Sequence, residues 1–290
     1  MLIDTHSHLN FNAYKGDLDA VIKKTLDENI WIINVGSKYE TSKKAVEIAE
    51  KYAEGVYAAV GLHPIYAGAE FIKTKTDPDE GEFLIKEQNF DAEKYKKLAL
   101  SGAKGSKKIV AIGEIGLDYY YRPKTKTKLE LFKEKQKQIF TEQLNLAQEL
   151  NLPAIIHCRM AHGNLIEILK SQISMANNQK LRGVVHCFTG TVEEMKQYLD
   201  LGFYIGFNGI IFKLNLNEAI KECPADKILL ETDCPYLIPP LARQSPQGES
   251  GRNEPIFVKY IAKTVAKIKN MSYEEVSETT TQNAKKLFNI

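Results

Sequence analysis

The sequence holds no apolar run approaching the ~18 residues that a membrane span needs. Its opening, Met1-Leu2-Ile3-Asp4-Thr5-His6, lacks the charged-then-apolar pattern of a secretory signal. Cysteine is scarce. Cys158, Cys187, Cys223 and Cys234 show neither a CxxC spacing nor a dense framework, so free thiols in a reducing cytoplasm are expected. An excess of either charge is also missing: Lys+Arg number 39 and Asp+Glu 37, a formal net charge of +2. That excludes a general basic coat, so any nucleic-acid contact has to come from a local basic site. No internal repeat and no linker interrupts the chain. What remains is ordinary globular composition, 43% hydrophobic and 26% charged over 290 residues, which excludes a disordered or fibrous protein.

Short β-branched apolar runs alternate with helical patterns about eight times. The strand candidates are Leu2–Asp4, Trp31–Val35, Val56–Val60, Ile109–Ile112, Ala154–His157, Gly183–His186, Phe203–Gly206 and Ile228–Glu231. Their apolar character suits parallel strands buried on both faces. Between them, Leu18, Val21, Ile22 and Leu26 follow Asp17, a plausible N-cap. A long helix carries Leu129, Phe132, Ile139, Phe140, Leu144 and Ala147. Thr191-Val192-Glu193-Glu194 and Ser272-Tyr273-Glu274-Glu275 read as capping boxes. Pro255 suits the first turn of a helix burying Val258, Ile261, Val265 and Ile268.

This pattern predicts an α/β fold: a (β/α)8 TIM-type barrel, one domain over residues 1–290, with its active site at the C-terminal mouth. An open doubly wound sheet would announce a Gly-rich turn after its first strand, where His6-Ser7-His8 stands instead. Two long connections, Ile65–Lys107 and Pro235–Glu254, follow strands and so lie at that mouth, as surface insertions or as a substrate lid. The first carries a charged turn at Asp77–Gly81, with Glu70–Lys75 and Glu82–Glu87 as the arms of a small hairpin.

His6 and His8 follow the first strand, and their two-residue spacing puts both on one side of an extended chain. Glu114, His157, His186 and Asp233 end or follow strands four, five, six and eight. Each alone is more often a buried histidine, a cap or a solvated charge. A barrel brings all six to one pole, and six N/O donors exceed what one tetrahedral ion needs. The set suits two divalent ions that share a carboxylate and activate a water. Alternation turns Cys158 and Cys187 away from the mouth as small core fillers, and His162 reads as a cap or surface group.

The chain resembles the TatD-type metal-dependent deoxyribonucleases of the amidohydrolase-like barrels. The resemblance rests on Ile3-Asp4-Thr5-His6-Ser7-His8-Leu9, Gly61-Leu62-His63-Pro64 and Gly113-Glu114-Ile115-Gly116-Leu117-Asp118-Tyr119. It continues through Leu152–Arg159, His186-Cys187-Phe188-Thr189-Gly190, Leu230–Tyr236 and Arg252-Asn253-Glu254-Pro255. It implies a hydrolase of nucleic-acid phosphodiesters, a 3′-end exonuclease on DNA with RNA as a further substrate. It also implies that His6, His8, Glu114, His157, His186 and Asp233 form the metal site. The expected division is His6, His8, Glu114 and Asp233 around one ion, and Glu114, His157 and His186 around the other. Asp233 would take the proton of the nucleophilic water. Glu231, two residues earlier, competes for that role, and the resemblance favours Asp233.

Around this centre, Arg159 is expected to clamp a phosphate, or else to pair with a loop acid. His63 would contact phosphate or protonate the leaving oxygen, or else shape the Gly61–Pro64 turn. Asn208, Asp118 and Arg252 are further substrate-side candidates. Tyr119, Tyr120 and Tyr121 either stack on bases or pack. Imidazole-rich ligation suits Zn or Mn better than Mg, whereas the resemblance implies Mg-dependent turnover. Mg or Mn is therefore expected for activity, with Zn in a purified sample. A small-molecule amidohydrolase or phosphoesterase is the alternative, because the same barrel hosts these reactions. No membrane and no obligate protein partner is called for. Near-neutral charge fits a pocket that grips one terminal phosphodiester with modest salt sensitivity.

Overall fold

The structure, a computed structural model, describes residues 1–72, 89–101, 107–175, 181–243 and 251–290. The predicted hairpin falls almost entirely outside these residues; Glu70 itself lies in a 3-10 turn, Ala69–Phe71.

Eight parallel strands lie in sequential order: β1 Leu2–Ser7, β2 Ile30–Val35, β3 Val56–Val60, β4 Ile109–Asp118, β5 Ala154–Arg159, β6 Gly183–Val185, β7 Tyr204–Phe207 and β8 Ile228–Leu230. The seam between β8 and β1 is tied by Asp233 N–H to His6 O at 2.8 Å and His8 N–H to Cys234 O at 2.9 Å. The Asp4 carboxylate reinforces it, accepting from Thr232 N at 2.8 Å and Thr232 Oγ1 at 2.6 Å. The result is the predicted (β/α)8 barrel.

The described helices are α1 Leu18–Asp27, α2 Tyr39–Ala49, α3 Pro64–Ala67, α4 Ala92–Ala99, α5 Lys126–Glu149 and α6 His162–Met175. They continue as α7 Val192–Asp200, α8 Asn217–Glu222, α9 Pro240–Arg243, α10 Val258–Lys269 and α11 Tyr273–Phe288. Both predicted capping boxes form, at Thr191–Glu194 and Ser272–Glu275. Asp17 does stand before α1, but its side chain makes no cap bond; the carboxylate meets the Arg252 guanidinium instead. The 65–107 connection is not uniformly irregular. Asp91 caps α4, which buries Tyr95 and Leu98 at helical spacing.

Two apolar layers hold the barrel. One lies between strands and helices. The other fills the interior with Ile3, Ile33, Tyr57, Val110, Ile155, Val184, Tyr204 and Leu229. Ala284, Leu287 and Phe288 of α11 join that interior layer. Thr281 Oγ1 reaches Met1 O and Asn283 Nδ2 reaches Ile228 O, so α11 closes the N-terminal pole. The opposite pole stays polar. Among the described residues, no helix is long and apolar enough to cross a membrane.

Candidate metal centre

Parity carries three of the six expected donors into the barrel, together with Glu231. Ile155 and Val184 face inward, so His157 and His186, each two residues further on, do the same. Leu229 likewise predicts Glu231 and Asp233. The remaining donors depend on breaks in regularity. Ile3 faces inward, so strict alternation would send Thr5 and Ser7 in after it. The β1–β2 register shifts between Asp4 and Ser7, and this re-aims His6. The β4–β5 register shifts between Ile112 and Ile115, around Glu114. Gly61 and Gly113 let the ends of β3 and β4 meet: a Cβ on Gly61 would lie 2.7 Å from the Gly113 carbonyl carbon. Asp233 and Cys187 hold left-handed φ angles of 55° and 45°, so the backbone is strained where β8 and β6 open into the mouth.

Glu114 is the hub. Its Oε1 lies 2.8 Å from both His157 Nδ1 and His186 Nε2. Its Oε2 faces His6 Nε2 at 3.5 Å and His8 Nε2 at 3.7 Å. Asp233 Oδ1 closes the second group, 3.8 Å from His6 Nε2 and 3.5 Å from His8 Nε2. All six expected residues therefore meet around Glu114. Three sets have donor atoms close enough to hold an ion: His6–His8–Asp233, His6–Glu114–His186 and His63–Glu114–His157.

Tautomers separate ligand-type nitrogens from donors. His8 Nδ1 must donate to Val35 O, 2.9 Å away, which leaves the Nε2 lone pair facing Asp233. His186 Nδ1 faces Glu231 Oε1 at 3.4 Å, and His157 Nε2 faces Asp118 Oδ2 at 3.3 Å. In His8 and His157 the outward nitrogen bonds an oxygen acceptor, in His186 it faces a carboxylate, and in all three the other nitrogen turns to the centre, the arrangement metal-binding histidines use. His6 Nε2 and His8 Nε2 sit 3.1 Å apart, and His157 Nδ1 and His186 Nε2 3.4 Å apart. Buried lone pairs this close need a proton or a cation between them, so the donor set fits divalent metal.

His63 is the reverse case. Its Nδ1 accepts from Ile65 N at 3.1 Å, so its proton sits on Nε2, 3.5 Å from Glu114 Oε1. Burial lowers its pKa to about 3, so the ring is neutral. A proton-bearing Nε2 donates; it does not ligate. The turn-shaping reading of His63 is met by one nitrogen, and the other faces the centre.

The electrostatics follow from burial and these contacts. Burial opposes ionisation of Glu114, but the surrounding imidazoles hold it well below the usual carboxylate range. Asp233 is likewise lowered: burial opposes its ionisation, but His8 and the other nearby histidines outweigh it. Burial keeps His6 low. His157 is carried to about 9 because Asp118 and Glu114 outweigh its burial. Two ionised carboxylates therefore sit in a buried cage of imidazoles.

A family model described as "TatD related DNase" matches residues 3–289. The chain belongs to the TatD family of metal-dependent hydrolases. It is 38% identical over the full length of both chains to the uncharacterized metal-dependent hydrolase YabD of Bacillus subtilis. It is 33% identical to the 3′-5′ ssDNA/RNA exonuclease TatD of Cronobacter sakazakii, covering 99% of this chain and 97% of that one. Among solved structures, the TatD homologue YjjV of Escherichia coli superposes with a TM-score of 0.77 at 26% identity, covering 100% and 98% of the two chains.

Around the TatD centre, the other expected residues divide. Arg159 is exposed at the rim, its guanidinium stacked 3.5 Å from the Tyr120 ring centroid. Asp118 is buried and holds His157. Asn208 is fully buried: it accepts from Ile210 N and donates to Glu231 Oε1 at 3.2 Å, so its polar atoms serve the chain. Arg252 bonds Ala13 O and Asp17 and lies over the Tyr14 ring. Tyr119 packs, with its hydroxyl on Asn164 at 3.1 Å, while Tyr120 and Tyr121 are exposed. Glu231 is fully buried, accepts from Cys187 N at 2.6 Å and faces His186 Nδ1 from behind the ring. Cys158 is a core filler as expected. Cys187 is not: its left-handed φ breaks the alternation and brings its thiol to Asn208 at 3.5 Å. His162 is buried, bonded to Tyr198 Oη at 3.0 Å, and is not a surface group.

Three supports escaped the sequence reading. Gln143 Oε1 accepts from Leu62 N at 2.7 Å, and Gln136 Oε1 from Asp118 N at 2.9 Å. Each fixes a segment beside the centre. Their signal was present: both are polar residues on the otherwise apolar face of α5. Asp4 is the third, an acid two residues before His6 that is buried and bonded across the seam.

Proposed function

We propose that this TatD protein hydrolyses nucleic-acid phosphodiesters from DNA ends, with RNA as a further substrate, using two divalent ions, Mg or Mn for turnover. The observation that carries the reading is His63: a proton donor aimed into a cage of ionised carboxylates and ligand-type imidazoles. That pairing suits an anionic substrate whose leaving oxygen needs a proton. The full-length likeness to a relative named as an ssDNA/RNA exonuclease supports the same class.

His6, His8 and Asp233 would hold one ion, His157 and His186 the other, with Glu114 between. When bound, the ions supply Lewis acidity to a phosphoryl oxygen and ease deprotonation of a water. Asp233 orients that water through one carboxylate oxygen and accepts its proton. His63 Nε2–H donates to the phosphate or to the departing oxygen. Arg159, with no side-chain hydrogen bond of its own among the described residues, offers its guanidinium edge to a phosphate oxygen. Glu231 and Asp118 keep the His186 and His157 rings oriented.

The test is a 5′-labelled single strand incubated with Mg or Mn, and again with chelator. Stepwise, metal-dependent shortening is expected. No shortening, together with faster turnover of an amide, lactone or small phosphoester, would move the protein to the small-molecule reading.

A further inference from the structure

The chain as a whole is nearly neutral, yet one stretch beside the mouth is not. Tyr120-Tyr121-Arg122-Pro123-Lys124-Thr125-Lys126-Thr127-Lys128 leads from the end of β4 into α5. Tyr120 and Tyr121 are 49% and 43% exposed, in edge-to-face contact at 4.9 Å. Single exposed aromatics need no explanation, but two adjacent ones carrying a stacked arginine form a platform. The Arg159 guanidinium lies over Tyr120 at 3.5 Å and within 5.9 Å of Tyr121. Stacking fixes the guanidinium plane and leaves its N–H edges free.

The platform is wired to the centre. Tyr120 N–H donates to Asp118 Oδ1 at 2.8 Å, and the other oxygen of the same carboxylate holds His157. Tyr119 N–H donates to Arg159 O at 2.9 Å. The tyrosines thus stand at a set position beside the ligand cage.

The cations are unpaired. Arg122, Lys124, Lys126 and Lys128 are all exposed, and among the described residues none has an acidic partner within ion-pair distance. The acids further along α5 are already engaged: Glu130 with Lys133 at 3.5 Å and Glu134 with Lys137 at 2.9 Å. The first turn of α5 contains no acid. Lysines there oppose the helix macrodipole, so the local sequence accumulates positive potential where isolated helix stability would favour a carboxylate.

We infer that this ridge is a strand-binding track for single-stranded nucleic acid. Tyr120 and Tyr121 stack bases next to the terminal phosphodiester, and Arg122, Lys124, Lys126 and Lys128 contact the phosphates beyond it. Aromatic stacking beside a cationic groove is how sequence-tolerant single-strand sites are built. The inference rests on the nucleic-acid reading above and deepens it: the enzyme grips a strand of several nucleotides, not one diester alone.

The experiment uses the full chain, wild type and two variants, Tyr121→Ala and the triple Lys124→Glu/Lys126→Glu/Lys128→Glu. Binding of a fluorescein-labelled 12-nucleotide single strand is read by anisotropy in chelator. Turnover with Mn is read on the same strand and on bis(p-nitrophenyl) phosphate, which has no phosphate beyond the scissile one for the lysines to contact. Each variant should bind the strand about 10-fold more weakly. In the triple variant the salt slope of log K should shrink by about 2, since each lost phosphate contact on a single strand accounts for about 0.7. KM for the strand should rise in step, while turnover of the small diester holds. Unchanged strand binding in both variants would overturn the track. So would an equal loss on the small diester, which would assign these residues to the integrity of the centre. A wild type that binds the strand through the ridge without cutting it would keep the track and sink the nuclease reading alone.

Discussion

Glu231 Oε1 lies 3.4 Å from His186 Nδ1, on the other edge of the ring from the Glu114 oxygen at 2.8 Å. The imidazole is thus held between two carboxylates, one inside the cage and one behind it. Glu231→Gln keeps the shape but removes the charge that faces His186 Nδ1 from behind. Loss of such a support costs about 10- to 100-fold in metal affinity or activity. Metal content after dialysis should fall, and added Mn should restore part of the turnover. A base would behave differently: its loss would leave metal content intact, and no amount of Mn would rescue the rate.

His63 and His157 sit with ring centroids 4.4 Å apart, yet their tautomers assign them opposite work. His157→Ala should lower metal content. His63→Ala should leave metal content unchanged while slowing turnover by about 10²- to 10⁴-fold, the usual contribution of a positioned proton donor. The loss should be smallest on a diester with an acidic leaving group such as p-nitrophenol, which departs without a proton. Metal loss in His63→Ala would show that His63 ligates after all.

Asp4 joins the two ends of the barrel sheet. Asp4→Ala leaves the buried Thr232 N–H and hydroxyl without their acceptor, at about 1–3 kcal/mol for each unsatisfied group. Asp4→Asn retains an acceptor and should cost less. Burial pushes the Asp4 carboxyl well above the usual carboxylate range, against the pull of its Thr232 bonds. A pKa raised by folding contributes stability that is full below the unfolded value and lost as pH rises through the folded one. Wild type should therefore lose stability relative to Asp4→Asn as pH rises above the ordinary aspartate pKa. The loss should level off past the raised value. Urea midpoints across pH measure this, and a gap that stays flat would contradict the assignment.

The eight strands were legible because each begins as a short apolar run between helices; seven lie within three residues of their expected bounds, while β4 runs six residues further, to Asp118, and so contains Glu114. The candidate donors were legible because barrel closure gathers strand ends at one pole, and parity added the inward aim of His157, His186 and Asp233: no single motif localises a pole, but several strand ends do. What escaped was decided across the sheet or across the chain. The aim of His6 depends on a register break with β2, which β1 alone does not encode. Alternation misplaced Cys187 because the backbone turns left-handed there. Asn208 and Glu231 each looked like a substrate or proton group when read singly. Only their mutual contact, with Cys187 N–H, shows them supporting His186.

Arg252 and Asp17 illustrate the same point and give the last prediction. From sequence, Arg252 is a substrate cation and Asp17 a helix cap; in the structure each satisfies the other. Arg252 also bonds Ala13 O and covers the Tyr14 ring at 4.3 Å, so it fastens the segment before α1 to the one before α10. Arg252→Ala should destabilise the fold by about 1–2 kcal/mol, through the lost charged hydrogen bonds and ring contact. Asp17→Ala should cost less, because its carboxylate is half exposed and its charge is screened. The double variant should fall short of the sum, as expected for residues in contact. KM for a single strand should stay at the wild-type value in all three, provided the assay runs below the lowered melting temperature. A raised KM with an unchanged melting temperature in Arg252→Ala alone would return that residue to the substrate.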